Sequence, residues 1–322
     1  CMSSVVCACT AESGATLRFL LQEWRHVIDP WQIDSLEAYA EVPRLGRKNR
    51  MGAKQRERIW PIFADVKTNL AARGLTTWPA IYRQLGSLYG ATDRKPFDHV
   101  VIDEAQDLGV SELRFLAAIS SEAPDALFFA GDLGQRIFQQ PFSWKSLGVD
   151  VRGRSQTLKV NYRTSHQIRE AADRLLPDTV RDIDGMAEER AGTVSVFNGP
   201  PPAIQLAGDT EEEADIVGTF IRQCLEDGIV PEEIGVFVRS DDEMGRARSA
   251  LAKAGAETFE ISGHGAARPG QISIGTMHLA KGLEFKAVAV MACDDEIIPL
   301  QERIETVGDD GDLQEVYDTE RH

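Results

Sequence analysis

Phe97-Asp-His-Val-Val-Ile-Asp-Glu-Ala-Gln-Asp107 decides the fold. Its apolar run, Val100-Val-Ile102, is short and continuous, as a strand buried on both faces is. The run stops on two adjacent carboxylates, Asp103 and Glu104. A strand that ends this way sets its acids at the carboxyl edge of a sheet, where open α/β sheets bind ligands. Ala126-Leu-Phe-Phe-Ala130 repeats the pattern after a helical stretch, Ser111–Ser121, and it too is followed by an acid, Asp132. Further strands are predicted at Thr157–Val160, Thr193–Phe197, Ile234–Val238, Gln271–Ile274 and Ala287–Met291. Helices are predicted over Ser165–Leu176, Thr210–Asp227 and Asp242–Ala254. Strands alternating with helices predict a parallel α/β sheet.

Upstream of Pro96 the pattern is different. Leu17, Leu20, Leu21, Trp24, Val27 and Ile28 recur at helical spacing up to Asp29-Pro30. A second apolar face, Ile59 to Leu70, contains Pro61, which is expected to kink or start its helix. Thr77-Trp-Pro79 looks like a cap with proline in the first turn of a third helix. Between the first two lies a basic cluster that includes Arg47, Lys48 and Arg50. Residues 1–95 carry 14 Lys/Arg against 9 Asp/Glu, whereas the rest of the chain carries 21 against 42, so the net charge of −16 is unevenly spread. A localised polyanion-binding surface is compatible with that asymmetry, as is plain solvation of helices.

The 322 residues, 43% hydrophobic and 27% charged, are enough for two domains or one large α/β unit. No stretch approaches the roughly 20 apolar residues of a membrane span, and the first residues lack the basic start of a signal peptide. Five cysteines without a C-x-x-C pair argue against a disulfide framework and against a zinc site. A cytoplasmic protein is expected.

Taken alone, Asp103-Glu104 admits two readings. One acid can hold Mg²⁺ while its neighbour takes a proton from water; equally, acids favour the start of a helix. The blocks that follow change the weighting. Gly131-Asp-Leu-Gly-Gln-Arg-Ile-Phe138 follows the second strand, Asn161-Tyr-Arg163 the third, and Thr276-Met-His-Leu-Ala-Lys-Gly-Leu-Glu-Phe285 a later one. In this order the set resembles motifs II to V of the UvrD/Rep family of superfamily 1 DNA helicases. The resemblance implies RecA-like, P-loop-type parallel-sheet domains with an N-terminal helical accessory subdomain over 1–95. The latter part of the first RecA-like domain would span 96–155, and a second, truncated one 156–322.

It also implies roles. Asp103 would bind the Mg²⁺ of Mg-ATP, Glu104 would be the general base, Gln135 would sense the γ-phosphate, and Arg163 would grip it with a planar fork. Tyr162 would stack on adenine, with Glu284 at the ribose and Gly282 beside the nucleotide. Thr276 and His278 would meet the DNA backbone, and Phe138 would stack on a base of a single strand. Arg47, Lys48 and Arg50 would add phosphate contacts. The implied activity is ATP-dependent 3′ to 5′ tracking along single-stranded DNA up to duplex junctions, with ATP and Mg²⁺ as cofactors and no membrane partner.

Three departures qualify this. Gln140 stands where the family carries a second aromatic. No G-x-x-x-x-G-K-[ST] phosphate loop occurs in the chain, and Tyr317-Asp-Thr-Glu-Arg-His322 only approaches the family's final arginine motif. The chain therefore reads as a fragment that does not hydrolyse ATP by itself. The alternative is a non-catalytic module that holds DNA or protein on the same fold. The 112 residues between Arg163 and Thr276 leave no room for a large inserted accessory domain.

Overall fold

Thr16 opens the first helix because its hydroxyl accepts from the Phe19 N–H at 3.2 Å, satisfying a donor that the first turn leaves without an intrahelical partner. The computed structural model describes residues 15–42, 51–132, 142–175, 179–181, 184, 187–189, 193–262, 268–301, 304, 313, 316–317 and 320. Helix α1 (Leu17–Glu23) widens into a π-turn over Trp24–Ile28 and ends at Asp29-Pro30, where the sequence puts its stop. Helices α2 (Leu36–Glu41), α3 (Ala53–Ala72) and α4 (Trp78–Gly90) follow. Leu20, Trp24, Ile28, Tyr39, Ile59 and Phe63 form the shared core of α1, its π-turn, α2 and α3. Pro61 does not start α3, which begins at Ala53 and runs past it. Glu57 and Pro61 are both exposed, so water replaces the backbone bond that proline removes.

The chain forms two compact units, Cys1–Pro201 (with Arg321–His322) and Pro202–Glu320. In the first, β1 (Val100–Ile102) pairs in parallel with β2 (Leu127–Phe129), joined through α5 (Val110–Ile119). Helix α4 packs on α5, with Tyr82 and Phe115 ring centroids 5.5 Å apart, so the helical region and this α/β segment share one unit. Next come β3 (Val160–Asn161) and α6 (His166–Asp173). A β4 (Thr179–Arg181)–β5 (Ala187–Glu189) hairpin leads to β6 (Val194–Ser195), which pairs in parallel with β3. Residues 157–201 fall in the first unit, where the Ser143 hydroxyl and the Lys145 N–H both donate to the Asp184 carboxylate. The division falls in the Asn198-Gly-Pro-Pro-Pro202 step, because prolines donate to no ladder.

The second unit is a four-stranded, all-parallel sheet covered by two helices. Helix α7 (Thr210–Glu226) starts on reciprocal caps: Asp209 accepts from the Glu212 N–H, and the Glu212 carboxylate accepts from the Gly208 N–H. The chain continues through β7 (Ile234–Val238), α8 (Met244–Ala254), β8 (Glu257–Glu260), β9 (Gln271–Thr276) and β10 (Ala287–Val290). The strand order is β10-β7-β9-β8. The central β7 and β9 are buried almost throughout, whereas edge β10 alternates and edge β8 is exposed at both ends and half-buried between. Gly218 lets α7 approach α8 closely, since a Cβ there would sit 3.0 Å from the Ala250 carbonyl oxygen. Ile221, Ile234, Leu251, Ile272 and Ile274 fill the core. Among the described residues no helix is long and apolar enough to cross a membrane.

Candidate functional site

The carboxyl edge of β1 is made by a backbone reversal at Glu104, which is left-handed at φ 51° and ψ 40°. Side chains disfavour that region, and residues held there cluster at functional sites at a cost of about 1 kcal/mol or more. Three bonds impose it. The Glu104 N–H donates to Asp103 Oδ1, the Ala105 N–H to the Ala130 carbonyl and the Asp107 N–H to the Glu104 carbonyl, each at 2.9 Å. Asp103 and Glu104 are thereby exposed at the sheet edge.

Behind them sits Gln106, only 3% exposed. Its Nε2 donates to Glu104 Oε2, and its Oε1 accepts from the Asp132 N–H at 3.0 Å. The ends of β1 and β2 are thus linked through one amide. Gly131 makes room for it, because a Cβ there would lie 2.4 Å from Gln106 Oε1. The sequence reading assigned Gln106 no role. Its only local signal is an amide set between acids directly after an apolar strand.

This donor set fits Mg²⁺ carried on a nucleotide. Such an ion keeps most of its waters and needs only one or two carboxylates besides phosphate oxygens. Among the described residues no group of three or more His, Cys, Asp or Glu gathers into a cage, so the fit is to a metal that arrives with phosphates. The phosphate-cradling loop is not in these 322 residues, and the fit concerns the metal and base side alone.

Asn161 organises the second cluster in the same unit. Its Oδ1 accepts from the N–H groups of Arg163 at 2.8 Å and Thr164 at 3.3 Å, and its Nδ2 donates to Thr164 Oγ1 at 2.6 Å. This Asx-type turn displays Tyr162, 71% exposed, and Arg163, also exposed. Ser165 then caps α6 through the Ile168 N–H.

In the second unit, Thr276 ends β9 opposite Val238 and is 3% exposed, so its side chain is buried. His278 is exposed on the 3-10 turn Met277–Leu279. Gly282 takes φ 80°, which a side chain would resist, and Glu284 is exposed just beyond it. Phe285 anchors this loop on Phe237 with ring centroids 5.4 Å apart, and Gly235 clears the space, since a Cβ there would meet the Phe237 ring at 2.6 Å. The Lys286 N–H donates to the Glu233 carbonyl at 2.8 Å and closes the loop. At the end of β7, Arg239 forks onto Glu320 at 2.7 and 2.5 Å, and these bonds push the guanidinium pKa up. Gln135, Phe138, Arg47, Lys48 and Arg50 lie outside the described residues.

The loop and the two strands that flank it, β9 and β10, fall within a segment that matches a known family. Residues 261–317 match the family described as the UvrD-like helicase C-terminal domain. The chain is similar to the UvrD-like helicases. It is also 26% identical over 150 residues to the putative ATP-dependent DNA helicase YjcD of Bacillus subtilis (strain 168). That alignment covers 45% of this chain and 19% of YjcD. The UvrD-like segment starts just after β8 and contains β9, the His278–Glu284 loop, β10 and the approach to Glu320. Arg239, which grips that approach, lies outside the matched residues.

Proposed function

We propose that the protein to which this chain belongs is an ATP-driven DNA helicase or translocase with RecA-like domains, tracking single strands 3′ to 5′ up to duplex junctions. The observation that carries this reading is the Asp103-Glu104 pair, held at a parallel strand's carboxyl edge by a strained residue. It occurs in a chain that is UvrD-like over 261–317. In this reading Asp103 holds Mg²⁺, and the Glu104 carboxylate accepts a proton from the attacking water. Bound Mg-ATP supplies the free energy of hydrolysis. Arg163 presents its guanidinium to phosphate, Tyr162 stacks on adenine, Glu284 and Gly282 attend the ribose side, and Gln135 senses the γ-phosphate. His278 and Phe138 serve the DNA, with Arg47, Lys48 and Arg50 adding salt-sensitive phosphate contacts, whereas the buried Thr276 side chain faces no DNA and instead ends β9 beneath the His278 turn. Residues 1–95 serve as a helical accessory part, 96–155 as the latter part of one RecA-like domain, and the four-stranded sheet belongs to the second.

The test is DNA-stimulated ATP hydrolysis by the full-length protein beside its Glu104→Gln variant. Stimulation by single-stranded DNA that the substitution abolishes supports the motor. DNA binding without hydrolysis overturns it in favour of a non-catalytic binding module.

A further inference from the structure

We propose that Gln106 is a positioning residue: it aims the Glu104 carboxylate and ties that aim to the backbone that leaves β2. The kinetic consequence rests on the helicase reading above; the contact itself does not. The two partners set the direction of the amide. A carboxylate only accepts and a backbone N–H only donates, so Nε2 must face Glu104 and Oε1 must face Asp132. A flipped amide would oppose acceptor to acceptor and donor to donor. The side chain is 3% exposed, so water does not replace either bond, and Gly131 fits against Oε1 with no space for a Cβ. Glu104 is meanwhile locked in its left-handed conformation, so its carboxylate is aimed by side-chain torsion alone, and Gln106 holds that torsion.

The partner at the other end gives the link its meaning. Asp132 is the residue from which the chain runs on to Gln135, proposed above to sense phosphate. A shift of the Asp132 backbone draws on Oε1, turns the rigid amide and moves Nε2 relative to Glu104. The buried amide therefore makes the aim of the base depend on the position of that segment, an effect no residue of the proposed machinery provides by itself.

Two variants separate the halves of this link. Gln106→Glu keeps an acceptor for the Asp132 N–H but sets a carboxylate against Glu104, and Gln106→Leu keeps the volume and removes both bonds. Amide exchange at Asp132, read by NMR in the 322-residue chain without nucleotide, is expected to stay slow in Gln106→Glu and to accelerate in Gln106→Leu. In the full-length protein Gln106→Leu is expected to lower kcat for DNA-stimulated ATP hydrolysis with KM for ATP unchanged. The expected fall is about 10- to 100-fold, part of the roughly 10²–10⁴ that a positioned base contributes. Unchanged Asp132 exchange in Gln106→Leu overturns the contact, and a wild-type kcat in Gln106→Leu overturns the aiming role. A Glu104→Gln variant as active as wild type overturns the helicase reading instead, and the exchange result still judges the contact.

Discussion

Gly131→Ala tests the packing that holds the Glu104–Gln106–Asp132 link. Gly131 has no left-handed φ, so alanine is torsionally acceptable and the cost is steric. The new Cβ would stand 2.4 Å from Gln106 Oε1, and 3.1 and 3.2 Å from the backbone nitrogens of Ala105 and Gln106. The nitrogens need only a few tenths of an ångström, but the amide must swing away. Doing so breaks the bond from the Asp132 N–H, worth about 0.5–1.5 kcal/mol, and loosens the bond to Glu104, worth about 1.5–3 kcal/mol when buried. Glu104 is exposed, so water replaces part of the second, and the expected loss is about 2 kcal/mol. Urea denaturation followed by tryptophan fluorescence reads it directly, because all five tryptophans (Trp24, Trp31, Trp60, Trp78 and Trp144) lie in the same unit as Gly131. In a Gln106→Ala background the obstructing group is gone, and the same substitution should cost less than about 0.5 kcal/mol. Equal costs in both backgrounds would refute the reasoning.

Two further outcomes follow from other contacts. Burial pushes the Asp29 carboxyl up, and the Thr77 hydroxyl at 2.7 Å, Lys67 and Gln32 only partly offset it. A raised folded pKa makes the ionised form costly above that pKa, a cost that vanishes below the unfolded value of 3.8. Asp29→Asn should therefore gain stability relative to wild type as pH rises from about 3 to about 7, read as the difference in urea midpoint; a difference flat with pH contradicts it. The Arg239–Glu320 pair has side chains only 17% and 5% exposed. Arg239→Glu alone should cost about 3 kcal/mol by opposing two buried carboxylates, and adding Glu320→Arg should restore much of it. Amide exchange in β7 reports both, and equal losses in the single and double variants would show that the pair is not coupled.

The central strands were legible because burial on both faces writes itself as an unbroken apolar run. Ile234–Val238 was read to the residue, and Gln271–Thr276 missed only its last two. The edge strand Glu257–Glu260 was not read, because two glutamates flank only two half-buried residues and the strand borrows its state from β9. Helices α7 and α8 were read within about two residues, since Asp209 and the alanine-rich face of α8 are local signals. β1 itself is not buried on both faces, since Val101 is 74% exposed, but Asp103 and Glu104 were still legible: charge directly after an apolar strand has few places to go but a sheet edge. The role of Asn161 was within reach, because the side-chain bonds that shape its turn fall within three residues. Burial of Thr276 was not, as it depends on β7 lying alongside β9.

Sequence by itself thus determined the local states: which runs become strands, where helices cap, and which acids stand at the edge of β1. Dihedral preference and burial act over a few residues, and composition records them. Tertiary structure alone decided that Gln106 reaches Asp132, 26 residues away, and that Arg239 reaches Glu320, 81 residues away. Those bonds exist only once parallel pairing sets Ile102 opposite Phe129, and once Glu320 meets Arg239 at the end of β7. No pattern of side chains along the chain encodes that register, because parallel pairing is specified by packing on both faces of a sheet and by the crossover between its strands.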